Sequence, residues 1–93
     1  VRAVTHGDLI AVARVLLCVR AEDRMRFCAD LFERAHIGDK IRKKLGRIER
    51  GYGDGSLGCL CYDLPQRPEP YISDTGFAEC LHVVLCQVMR GHV

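Results

Sequence analysis

No CxxC pair occurs among the six cysteines, which stand at Cys18, Cys28, Cys59, Cys61, Cys80 and Cys86 with spacings of 10, 31, 2, 19 and 6. That absence excludes a thioredoxin-like redox site and a standard zinc ribbon. No glycine-rich stretch ends in Gly-Lys-Ser/Thr, so no Walker-type phosphate loop is present. Apolar runs are short. Arg14 interrupts the first and His82 and Gln87 the last, and neither reaches the ~20 residues of a bilayer span. The segment from Val1 to Asp8 lacks the charged, then apolar, then small layout of a signal peptide. A cytoplasmic location without membrane attachment is the expectation, and in a reducing compartment disulfides do not persist.

What is present is polarised charge. The stretch Lys40-Ile41-Arg42-Lys43-Lys44-Leu45-Gly46-Arg47-Ile48-Glu49-Arg50 holds six cations and one anion, or +5, while the other 82 residues carry −3. A formal net charge of +2 thus conceals one basic element on a mildly acidic body. Such asymmetry points to a polyanionic or acidic partner rather than to a buried small-molecule site. A solvated charged face with no dedicated partner is the plainer alternative. Ninety-three residues, 48% of them hydrophobic, suit a single globular domain spanning 1–93.

The periodicity predicts an all-α bundle of four main helices, plus a short one after a glycine-rich loop. Thr5 and Asp8 have the spacing of a capping box, opening a helix from about His6 to Val19 with Leu9, Val12, Ala13, Leu16 and Leu17 on one face. A second helix runs from about Ala21 to His36 through Met25, Cys28, Leu31, Phe32 and Ala35. Gly38 fits a C-cap and Asp39 an N-cap, so a third, basic helix is expected from Lys40. Ile41, Leu45 and Ile48 form its apolar stripe and would pin it to the bundle, leaving Lys40, Lys43, Lys44 and Arg47 outward. Gly51, Gly53, Gly55 and Gly58 follow, with Ser56 as the cap of the short helix. Pro65, Pro68 and Pro70 impose an extended connector packed over the bundle. The last helix opens near Ser73 or Asp74 and runs to about Arg90, with Phe77, Cys80, Leu81, Val84, Leu85 and Val88 on its inner face.

Several constellations follow from this outline. The Ile37-Gly38-Asp39 junction resembles a helix-turn-helix, although Arg34 stands where a small residue is usual four before the turn glycine. Alternatively the basic helix and the Gly-Tyr loop touch RNA or the acidic surface of a nucleic-acid machine. Tyr52 would then stack on an unpaired base while Arg47 and Arg50 meet phosphates. The partner-contacting set is therefore Lys40, Arg42, Lys43, Lys44, Arg47, Arg50 and Tyr52. A metal-stabilised interaction module is the further alternative, with zinc held by Cys59, Cys61, Cys80 and His82; the two-residue spacing allows this only from non-helical backbone. Otherwise the chain is expected to need no cofactor, its cysteines serving as small hydrophobes. A cysteine nucleophile beside His36 or His82 has no supporting flanking pattern, and a non-enzyme is expected.

Three segments together carry a family resemblance: Thr5-His6-Gly7-Asp8-Leu9, Gly51-Tyr52-Gly53-Asp54-Gly55-Ser56-Leu57, and Asp74 through Phe77-Ala78-Glu79-Cys80-Leu81. They resemble short alphaproteobacterial helical proteins linked to activation of gene transfer agents, the domesticated prophages. The resemblance implies a phage-derived transcription regulator, similar to GafZ-type antitermination factors that act with RNA polymerase. It transfers no functional residue, so the basic run remains the expected contact with polymerase or nascent RNA.

Overall fold

The computed structural model describes residues 3–90. Four α-helices pack around one core: α1 (His6–Leu16), α2 (Arg24–Leu45), α3 (Leu57–Cys61) and α4 (Thr75–Met89), with a single 3-10 turn (Ala21–Asp23) before α2. The small all-helical bundle is therefore as anticipated. Its radius of gyration, 12.8 Å, is close to the ~12 Å of a compact chain this long.

Local chemistry explains most helix ends. The Asp8 amide donates to Thr5 Oγ1 and the Thr5 amide to Asp8 Oδ2, both at 3.1 Å, completing the capping box that opens α1. Asp8 has a second task, because its Oδ1 accepts from the Gly58 amide on α3 at 3.1 Å. Asp8→Ala should therefore cost about 1–2 kcal/mol in a denaturant titration, more than losing an exposed cap alone. α1 stops at Leu16 rather than Val19. There Arg24 Nε donates to the Leu16 and Val19 carbonyls at 2.9 and 3.0 Å, satisfying acceptors a longer helix would have bonded itself. Ser56 caps α3 through the Cys59 amide and Asp74 caps α4 through the Phe77 amide. The proline-rich connector is pinned to α1, with Arg14 Nε donating to the Arg67 carbonyl at 2.7 Å and the Arg67 amide to the Arg14 carbonyl at 3.3 Å.

The core draws on every helix: Val12 and Leu16 from α1, Leu31 and Phe32 from α2, Leu57 from α3, Phe77 and Val84 from α4. Cys28, Cys61 and Cys80 lie among them, fully buried, and all six cysteines are free thiols. Burial pushes the Cys28 thiol up to about 12 and Cys61 to about 11, and raises Cys80 as well. On α4 the buried row is Phe77, Cys80, Val84 and Gln87, whereas Leu85 and Val88, expected on the inner face, are exposed. The three-four-three spacing of that row stays on one side of the helix; Leu85 lies off it, while Val88, one turn after Val84, is exposed in the last turn of the helix.

The largest departure lies at Gly38 and Asp39. No turn forms there, and α2 continues unbroken for 22 residues, about 33 Å. Gly38 is a packing glycine rather than a C-cap. A Cβ on it would fall on the Tyr52 carbonyl oxygen and within 2.9 Å of the Gly53 oxygen, so only hydrogen lets the glycine loop lie against the helix. The helix ends instead at Gly46, whose left-handed φ of 68° places its amide on the Arg42 carbonyl at 2.9 Å.

Candidate polyanion-contact surface

Beyond Asp39, α2 has no buried residue; its last turns leave the core and form a tip. Ile41 is half-buried, but Leu45 and Ile48 are 58% and 62% exposed, so two of the three residues of the expected apolar stripe do not anchor this element. Polar ties replace it. The Arg34 guanidinium donates from Nε and Nη2 to the Gly51 carbonyl at 3.2 and 2.9 Å, and Arg42 Nε donates to the Asp54 carbonyl at 3.1 Å. These bonds fold the loop back along the helix, where an isolated bridge between Glu49 and Gly53 tightens it.

The six cations of the run fall into two groups. Asp39, buried at the base of the tip, takes Lys43 Nζ at 3.1 Å on Oδ2 and Arg42 Nη2 at 3.4 Å on Oδ1. Arg47 Nη2 meets Glu49 Oε2 at 3.0 Å. Lys40, Lys44 and Arg50 are exposed and form no ion pair among the described residues. Lys40 and Lys44 stand one turn apart on the same side of α2. Half of the cationic run is thus engaged internally.

Tyr52 is half-buried, with its amide on the Glu49 carbonyl at 3.2 Å and its carbonyl against Gly38, so its backbone is a structural part of the loop. Beside it a cleft of about 290 Å³ opens between the loop and α3, walled by Arg34, Arg50, Ile48, Leu60 and Leu64, with Glu49 and Asp63 also on its rim. Sequence reasoning missed Arg34 and Asp39 as organisers of this surface. The signal was available: Asp39 precedes Arg42 and Lys43 by three and four residues, the favourable order for pairs on one continuous helix.

The hydrogen bond from Lys43, above all, holds the Asp39 carboxyl below its ordinary value. A depressed folded-state pKa stabilises the protein above the unfolded carboxylate value of about 3.9, and that contribution disappears as pH falls through the folded value. Thermal melts from neutral to acid pH should therefore show a loss of stability below about pH 4 that Asp39→Asn makes shallower.

The zinc candidates are not assembled. Cys59 and Cys61 both lie on helical α3, one exposed and one buried, and Cys80 and His82 divide in the same way on α4. Residues two apart on a helix point away from each other. Among the described residues no three His, Cys, Asp or Glu side chains are grouped to hold a metal, and no helix is long and apolar enough to cross a membrane.

Residues 2–88 match a family described as a domain of unknown function, DUF7742. The chain belongs to this family. The match covers the whole bundle to within one residue of the end of α4, tip and glycine loop included. No curated protein and no solved structure matches the chain. The family description names no activity.

Proposed function

We propose that this DUF7742 protein is a non-enzymatic transcription regulator that engages RNA polymerase and nascent RNA through the tip of α2 and its glycine loop. The transcriptional setting comes from the resemblance of its three segments to antitermination-type proteins. The contact surface comes from one observation: Lys40 and Lys44 on α2 and Arg50 after it are exposed without anionic partners among the described residues, in the same segment as the exposed Leu45 and Ile48. A tip that exposes both cations and aliphatic groups, with Ile48 and Arg50 on one cleft, suits a partner that is both acidic and partly apolar. Phosphates of a regular duplex would neutralise the charges yet leave Leu45 and Ile48 in water. An acidic protein surface or an unstacked base would cover them.

The helix-turn-helix alternative loses its geometric support, since Ile37-Gly38-Asp39 is helix interior. Fluorescence anisotropy against a single-stranded RNA and a duplex DNA of the same sequence, with gel filtration alongside core RNA polymerase, tests the proposal. The expected result is association with polymerase or with the single strand and little preference for duplex. Preferential, sequence-dependent duplex binding, or no association with either of the first two, contradicts it.

A further inference from the structure

A second chemical site lies on α4, independent of the basic tip. Cys86 Sγ stands 3.5 Å from His82 Nε2, one helical turn away. Of the six thiols, Cys86 is the one with a histidine hydrogen bond among the described residues. The other five divide plainly. Cys28, Cys61 and Cys80 are sealed in the core, where burial raises their pKa and keeps them as thiols. Cys18 and Cys59 are exposed but have no imidazole bonded to them among the described residues. His82 is exposed and Cys86 half-buried, so a small reagent can reach the pair.

We infer that Cys86, with His82 as its proton acceptor, is a thiol-exchange site for low-molecular-weight disulfides. His82 Nε2 takes the Cys86 thiol proton, and the thiolate sulfur attacks one sulfur of the incoming disulfide. The Sγ–S bond forms as the disulfide S–S bond breaks. Cys86 is oxidised to a mixed disulfide, the departing sulfur is reduced, and the leaving thiolate recovers the proton from the imidazolium. His82, Leu85, Cys86 and Met89 share one side of α4, where Leu85 is 44% and Met89 82% exposed. A charged adduct on Cys86 adds charge beside the exposed Leu85 and Met89, so thiol state changes how this surface can bury against another molecule.

Incubating the intact chain with oxidised glutathione, quenching with acid and mapping all six cysteines by peptide mass spectrometry tests the inference. Cys86 should form the mixed disulfide about tenfold faster than Cys18 or Cys59, below the ~10²–10⁴ of a preorganised site because the pair is solvated. Cys28, Cys61 and Cys80 should remain unmodified. His82→Gln, at an exposed helical position, should bring Cys86 down to the rate of Cys18 and Cys59 with helix content unchanged by circular dichroism. A Cys86 rate no greater than those two, or one that is indifferent to His82→Gln, overturns the inference.

Discussion

Gly38→Ala should destabilise the protein by about 3 kcal/mol, although alanine is the better helix former by ~1 kcal/mol. In an ordinary exposed helix the substitution would help. Here the added carbon meets the Tyr52 carbonyl oxygen and lies 2.9 Å from the Gly53 oxygen and the Tyr52 carbonyl carbon, all backbone atoms. No side-chain rotation relieves such a clash, so the loop must lift away. Lifting it threatens the Arg34 bonds to Gly51 and the Arg42 bond to Asp54, each a charge-assisted bond worth ~1.5–3 kcal/mol. For a chain this size the melting temperature should fall by roughly 15 °C. Gly46→Ala is the matched comparison: at φ 68° it strains the cap but meets nothing within 4 Å, so its cost should stay near 1–2 kcal/mol. A stabilised Gly38→Ala would mean that loop and helix do not touch, and the tip would lose its fixed shape.

Reversing the three unpaired cations, K40E/K44E/R50E, should reduce affinity for single-stranded RNA about 100-fold or more at roughly 0.1 M salt while leaving the fold intact. Each single-strand phosphate that the protein ceases to neutralise takes ~0.7 off the slope of log affinity against log salt, so three of them flatten it by about 2. Stability should move little, within ~0.5 kcal/mol, because none of the three has an internal partner among the described residues. Lys43→Glu makes the contrast. It places a carboxylate beside buried Asp39 and removes the ammonium that lowers the Asp39 pKa, so it should injure folding as well as binding. Leu45→Ser with Ile48→Ser then separates the partners. Loss of polymerase association with RNA affinity retained assigns the apolar part of the tip to a protein surface.

How far the chain could be read in advance depended on the range of the interaction. Thr5 with Asp8, Ser56, and Asp74 were legible as caps because a cap is written within three or four residues. The proline connector was legible because Pro65, Pro68 and Pro70 restrict their own backbone. Gly38 was not, because its reason lies at Tyr52 and Gly53, fourteen and fifteen residues away. Read locally, a glycine followed by aspartate is a helix stop and a helix start. The pairing of Asp39 with Arg42 and Lys43 is intelligible only once the helix runs through it. Leu45 and Ile48 sit at core-like spacing, yet spacing says which residues share a side and not whether anything covers them. Gln87 is the reverse case, a polar residue carried into the interior by the Phe77-Cys80-Val84 row.

Lysine acetylation footprinting tests the tip as a contact surface most directly, because Lys40, Lys43 and Lys44 are the only lysines in the chain. With the protein saturated by core RNA polymerase or by single-stranded RNA, labelling of Lys40 and Lys44 should slow several-fold. Lys43, already engaged by Asp39, should change less. A formed complex in which all three ammonium groups react as fast as in the free protein would place the partner elsewhere on the bundle.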